Sequence, residues 1–300
     1  MKPDTISPQL ARATAALLLA ATLAACGGGG VDASVSNITA SPTRYSQTMF
    51  VTVNGRGLGA GIEMTVDGPC NNVTRVAGTS EDTVQWTCVI NGLGEVVPRV
   101  RHTDSRRELG SVKVDIPPPR VSMAFSDGTR NGAMIFELDA VLAPVAVNNF
   151  LAYVAAGFYR NTVIHRAVPN EGIQGGTYTT AAATGTTLIT KAATLAPITP
   201  DAVAGMLNLR GTLAVVRDDA VPTVTAKFFI NSGDNPKYDL RTFDSAQGKV
   251  TVGNLVIGKL VEGLNVLDVV SSVPTVVDVA ELLTNVPKPP VTITLMSQTR

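Results

Sequence analysis

Arg166 and Gln174 are the two residues whose types and spacing best suit chemistry, eight apart in the stretch TVIHRAVPNEGIQGG from Thr162 to Gly176. A guanidinium keeps its charge and presents a rigid fork of donors, while a glutamine amide both donates and accepts. The stretch opens on apolar Val163 and Ile164, turns at Pro169-Asn170, and resumes in a short segment ending Gln174-Gly175-Gly176. Two strands joined by such a tight turn can show both side chains to one groove. No acid, thiol or metal cluster accompanies the pair, so it suits gripping a carbonyl better than breaking a bond. Taken alone, an arginine beside a turn is more often plain surface. The surrounding pattern must carry the stronger reading.

The elements that position these residues belong to a chain of 300 residues, 45% apolar and only 16% charged, with Lys+Arg and Asp+Glu both at 24. That is enough apolar material for two cores. The absence of a basic excess or a dense Lys/Arg run argues against a nucleic-acid partner. Val, Thr, Gly and Ala dominate, with turn residues throughout, which predicts a mainly β protein.

Residues 1–25 have the form of an export signal. Lys2 and Arg12 supply positive charge, and the apolar run ATAALLLAATLAA is short for a bilayer span. The run ends in Leu23-Ala24-Ala25-Cys26, which resembles the lipobox of bacterial lipoproteins. That resemblance implies cleavage before Cys26, lipidation of its sulfur, and membrane attachment through two or more acyl chains. Gly27 after the cysteine favours the outer membrane, facing the periplasm. In an oxidising compartment Cys70 and Cys88 are left as one disulfide pair. With only His102 and His165 as histidines, a metal centre is disfavoured, and nothing in the sequence calls for a cofactor.

In chain order, residues 26–36 read as a flexible tether. Residues 37–116 carry short alternating strands at roughly ten-residue spacing, which predicts a β-sandwich resembling the immunoglobulin-like modules of envelope proteins. Asn54-Gly55, Asp67-Gly68 and Asn91-Gly92 are hairpin signals within it. Gly55-Arg56-Gly57-Leu58-Gly59-Ala60 fits a dinucleotide fingerprint formally, but a strand rather than a helix follows, so a glycine-rich hairpin is expected. Trp86 is assigned to the sandwich core. Residues 117–120, opening on three prolines, mark a linker. Beyond it VSMAFSD and GAMIFELD form a hairpin about Asp127–Gly132. APVAVNNFLAYVAAG predicts a helix with Pro144 in its first turn, Gly157 at its C-cap and a stripe of Val147, Phe150, Leu151 and Val154. EGLNVLDVVSSV predicts a second, shorter helix with Leu264, Leu267 and Val270 inward.

Residues 121–300 resemble the cyclophilin-type peptidyl-prolyl cis-trans isomerases. The matching pieces are ELDAVLAPVAVNNFLAYVAAGFYRNTVIHR, IQGG, NLRGTLAVVR, KFFIN and VIGKLVEGLNVLDVV, in the family's order. The resemblance implies an eight-stranded antiparallel β-barrel capped by two helices, with proline-containing polypeptides bound in an outer groove. A monomer is expected. Prolyl isomerisation crosses a barrier of about 18–20 kcal/mol set by amide resonance. A guanidinium donating to the prolyl nitrogen or carbonyl weakens that resonance as the bond twists.

The resemblance places Arg166 on the catalytic arginine, Gln174 on the substrate-positioning glutamine and Phe229 on the aromatic floor of the proline pocket. His165 precedes the arginine and reads as structural. Val216 and Arg217 fall on the stretch whose backbone grips the peptide, Arg217 where asparagine is usual. Lys227 stands where glutamine is common, and Tyr238 or Asn254 replaces a bulky group at the rim. Glu171 and Gly172 hold positions that usually carry a large aromatic and a methionine against the proline ring. Each lost apolar wall forfeits about 1.5–3 kcal/mol of contact. Weak activity or altered preference is therefore expected. A peptide-binding scaffold without turnover is the competing reading, and a main role for the N-terminal β unit in adhesion or spacing is a third.

Overall fold

The computed structural model describes residues 32–78, 80–180, 187–201, 206–217, 223–239, 253–278 and 281–300. Cys26, residues 1–25 and most of the Leu240–Gly253 loop lie outside the described residues.

Eight strands precede the prolines: β1 (Ser34–Ser41), β2 (Thr48–Arg56), β3 (Ile62–Asp67), β4 (Cys70–Arg75), β5 (Thr83–Ile90), β6 (Gly94–His102), β7 (Glu108–Ser111) and β8 (Val114–Ile116). They form two antiparallel sheets, one ordered β1-β2-β5-β4 and the other β3-β6-β7 with β8 also on β6. Inward positions alternate along each strand, so Val51, Val53, Val84, Trp86 and Cys88 of one sheet and Val96 and Val100 of the other are buried. Cys70 and Cys88 are bonded across β4 and β5, 18 positions apart in sequence. Closing a loop of that size stabilises by about 3 kcal/mol in the chain-entropy model.

Three expected hairpins are not hairpins. Asn54-Gly55 lies inside β2, and the glycine-rich segment after it carries the chain from β2 to β3, which is in the other sheet. Asp67-Gly68 and Asn91-Gly92 likewise sit where the chain crosses between sheets. A turn dipeptide reverses the chain but does not choose its partner. The partner follows from burying two apolar faces against each other. β1 begins inside the stretch assigned to a tether, and Ala33 before it is already buried.

The second unit contains β9 (Arg120–Ser126), β10 (Asn131–Leu138), α1 (Pro144–Ala155), β11 (Thr162–Ile164), β12 (Arg166–Val168), β13 (Gly172–Gly175), β14 (Tyr178–Thr180) and β15 (Leu188–Thr190). It continues with β16 (Thr212–Arg217), β17 (Val224–Asn231), β18 (Leu255–Glu262), α2 (Leu264–Ser271), β19 (Thr275–Asp278), β20 (Leu283–Pro287) and β21 (Val291–Gln298). Among the described residues eleven strands, rather than the expected eight, form one antiparallel sheet in the order β12-β13-β17-β16-β18-β10-β9-β21-β11-β14-β15. The count rises because His165 separates β11 from β12 and a short β14–β15 hairpin extends one edge. α2 touches β10, β12 and β13, and β11 touches β13, so the sheet curls until strands far apart in the order meet.

The β9–β10 hairpin forms as expected, its turn held by Asp127 Oδ1, which accepts from the backbone N–H groups of Thr129 at 3.0 Å and Arg130 at 2.7 Å. In α1 the whole predicted stripe is buried, Pro144 opens the first turn and Gly157 follows the end with φ +65°. In α2 Leu267 and Val270 are buried but Leu264, the first helical residue, remains 45% exposed. The prolines do not make a free spacer. Pro119 O accepts from Leu138 N at 2.8 Å, and Pro118 O from Arg300 Nε at 3.2 Å. Gln298 ties the units further, accepting from Gln47 Nε2 at 2.9 Å and donating to Tyr45 O at 3.1 Å. One connected apolar cluster runs through both.

Candidate active site

Strand register brings the two opening residues together. Arg166 on β12 lies opposite Gln174 on β13, Gln174 opposite Phe229 on β17, and Phe229 opposite Ala214 on β16. Directly opposed residues of antiparallel strands point to one face, with Cβ atoms about 4.5–5.5 Å apart. A guanidinium, an amide and an aromatic ring thus form a row across three strands. Phe228 alternates to the other face, fully buried, with its ring 5.7 Å from that of Tyr159. Lys227 shares the Phe229 face by the same alternation.

Glu171 joins the row in an unexpected way. Its Oε1 accepts from Arg166 Nη2 at 2.6 Å and from the Tyr238 hydroxyl at 2.5 Å, while Lys237 Nζ lies 3.1 Å from Oε2. Burial raises the pKa of this carboxyl, but the donors of Tyr238, Arg166 and Lys237 outweigh it and hold the group at about 2. Gly172, next in the chain, makes room for Phe229. A Cβ there would stand 2.5 Å from Phe229 Cζ and 2.3 Å from Ile230 O. The phenyl ring fills the space an ordinary side chain would take. Tyr238 packs edge-on against the same ring at 5.2 Å, and Phe229 is left only 2% exposed.

The remaining assigned residues divide. Asn254 adjoins Tyr238, its N–H donating to Tyr238 O at 2.9 Å. Val216 is half-buried inside a register shift between Val215 and Arg217. The Arg217 side chain turns away to donate to Asp201 O at 2.9 Å, and burial pushes its pKa down. It does not join Arg166.

Sequence reasoning missed Lys237 and three buried asparagines. Asn208 donates through Nδ2 to Tyr238 O at 2.9 Å and Asn254 O at 3.3 Å, and accepts from Asn231 Nδ2 at 3.2 Å. Its own N–H donates to Asp239 Oδ1 at 2.7 Å. Asn235 Nδ2 donates to Glu171 O at 2.8 Å and Asn231 Oδ1 at 2.8 Å. This network fixes both Glu171 and Tyr238 behind the row. The sequence shows Asn231 at the end of the strand-like AKFFINS and Asn235 in the turn-rich loop after it, with nothing there or at Asn208 to mark burial.

His165, the residue before the arginine, sits between β11 and β12. It is buried against Tyr178 at 4.9 Å, and among the described residues its Nδ1 has no hydrogen-bond partner. Burial, then the charges of Lys227 and Arg166, push its pKa down to about 3. The neutral ring is what the fold accommodates, so its contribution to stability is complete above the unfolded value of 6.5 and drains away as pH falls toward 3. The Glu171 contribution is complete above 4.5 and is lost progressively from there to 2. Between 6.5 and 4.5 the histidine therefore acts alone. Lowering the pH across that range is expected to cost about 2–3 kcal/mol. Denaturant titrations of the protein and of His165→Phe over this range check it, because the variant lacks that slope.

Residues 120–298 match the model of the family described as cyclophilin type peptidyl-prolyl cis-trans isomerase. A peptidyl-prolyl cis-trans isomerase of Acinetobacter baylyi is 37% identical over 165 residues, 55% of this chain and 79% of the relative. Peptidyl-prolyl cis-trans isomerase A of Dickeya dadantii is 36% identical over 147 residues, 49% of this chain and 70% of the relative. Isomerase B of Escherichia coli is 37% identical over 149 residues, 49% of this chain and 83% of the relative. The chain belongs to the cyclophilin-type peptidyl-prolyl cis-trans isomerases.

Proposed function

We propose that the protein speeds Xaa-Pro isomerisation in exported polypeptides of the cell envelope, with Arg166 as the catalytic group. The row Arg166–Gln174–Phe229 supports this reading. Arg166 donates to the twisting prolyl amide, Gln174 holds the neighbouring peptide group, and Phe229 meets the proline ring. Uncatalysed exchange takes tens to hundreds of seconds, slow enough to limit folding. One charge-assisted hydrogen bond is worth about 1.5–3 kcal/mol and so about one to two decades in rate. The rest comes from binding the twisted bond more tightly than either planar form. Isomerisation of Xaa-Pro peptides by the purified protein tests the assignment, with the Arg166 variant as its control.

The second reading, a peptide-binding scaffold of low turnover, draws on the burial of Phe229 and the engagement of Arg166 by Glu171. Proline peptides that bind without being turned over would favour it.

The envelope location rests on the segment ending at Cys26. In this reading residues 1–25 are removed, Cys26 is lipidated, residues 26–36 tether an immunoglobulin-like sandwich over 37–116, and residues 117–120 lead into a monomeric isomerase unit over 121–300. A Cys26→Ala variant is expected to leave the membrane fraction for the soluble one. Fractionation of cells expressing each form checks this, and continued membrane association counts against the anchor.

A further inference from the structure

The groove beside the catalytic arginine is occupied by the protein's own side chains. Among the described residues Glu171 is the hydrogen-bond partner of the Arg166 guanidinium, at 2.6 Å. Glu171 is itself held by Tyr238 and Lys237 through its carboxylate, and by Ser232 N at 3.0 Å and Asn235 Nδ2 at 2.8 Å through its carbonyl. Beside it the Phe229 ring leans over Gly172 beneath Tyr238. A peptide needs both the guanidinium and that ring, so it must part Glu171 from Arg166 and uncover Phe229.

We propose that Glu171 is a built-in competitor for Arg166 that sets the substrate class, favouring prolyl bonds flanked by Asp or Glu. The argument rests on the isomerase reading of this groove and adds two steps to it. First, a binding-competent state that is only partly populated weakens apparent affinity by its fraction, so the Glu171 contact acts on KM. Second, Arg166, Lys237 and the Tyr238 hydroxyl converge on one carboxylate and so form a receptor for one. When Glu171 swings away, those donors lose their acceptor. A substrate that brings its own carboxylate beside the proline replaces it, mainly at Lys237 and Tyr238, and leaves the other N–H groups of Arg166 for the prolyl amide. A neutral peptide leaves the donors unpaired, and a basic one adds repulsion.

The test uses the full chain and three peptides that differ only in Glu, Gln or Lys before proline, with exchange read by NMR so that no protease preference intrudes. The wild-type protein is expected to turn over the Glu peptide at least tenfold faster than the Lys peptide in kcat/KM. Glu171→Gln should raise kcat/KM for the Gln peptide about fivefold or more, chiefly through KM, while lowering the Tm. Tyr238→Phe, which keeps the carboxylate but removes one donor, should move the same way by less, and it carries the test if Glu171→Gln does not fold. A merely structural role would lower activity and stability together. A folded Glu171→Gln protein with activity at or below wild type, or a preference for the Lys peptide, overturns the proposal. Turnover unaffected by Arg166→Ala removes the isomerase reading of the groove instead, whatever the Glu171 variant does.

Discussion

Replacing Arg166 with alanine is expected to lower kcat/KM for Xaa-Pro isomerisation by about one to two decades. The fold should survive the change. The guanidinium is partly exposed and its partner among the described residues is Glu171, which keeps Tyr238 and Lys237 after the truncation. The loss should fall mainly on kcat, because the bond in question strengthens as the prolyl amide twists and its nitrogen gains basicity. Arg166→Lys should restore only part of it. Lysine keeps the charge but offers a single flexible ammonium in place of a planar fork. Steady-state isomerisation kinetics, alongside circular dichroism to show the variants folded, decide the matter. Unchanged turnover in a folded Arg166→Ala protein would falsify the mechanism.

Asn208→Ala is expected to produce a large loss of stability, about 2–4 kcal/mol. The side chain is nearly inaccessible and bonds three different segments: the carbonyl of Tyr238, the carbonyl of Asn254 and the amide of Asn231. Truncation removes all three bonds at about 0.5–1.5 kcal/mol each and leaves a buried gap, although Tyr238 O keeps Asn254 N at 2.9 Å and Asn231 Nδ2 keeps Thr212 Oγ1 at 2.9 Å. The same change releases Tyr238, whose ring covers Phe229 and whose hydroxyl holds Glu171. Substrate affinity should therefore shift even at temperatures where the variant remains folded. Thermal and denaturant unfolding measure the first effect and KM the second. A stability change under about 0.5 kcal/mol, the size of an ordinary surface substitution, would show that the network is dispensable.

Much of the site was legible in the sequence because short-range geometry governs it. A tight turn at Pro169-Asn170 with strands of period two places Arg166 opposite Gln174, and KFFIN had to send one phenylalanine inward and one outward. The β9–β10 hairpin and α1 were legible for the same reason, since turn chemistry and the apolar stripe lie within a few residues of one another. The Cys70–Cys88 pairing followed once the lipobox-like ending had claimed Cys26 and left two cysteines.

Other features depended on which distant surfaces are buried together. Of the three turn dipeptides of the N-terminal unit, Asn54-Gly55 lies inside β2 and the other two stand between strands that pair in different sheets, so none makes the hairpin it predicts. Glu171 read as a lost apolar wall. In the fold it is the acceptor that joins Arg166 to Tyr238, 67 positions away, and Asn208 reaches Asn254 across 46. Local period and spacing in the sequence therefore determined the helices and the face shared by Arg166, Gln174 and Phe229, while the family was legible only through the resemblance of its motifs in their order along the chain. Tertiary structure alone decided the partners of the strands, the covering of Phe229 by Tyr238 and the engagement of the arginine. Those depend on desolvation and hydrogen bonding between segments whose separation along the chain leaves no periodic trace.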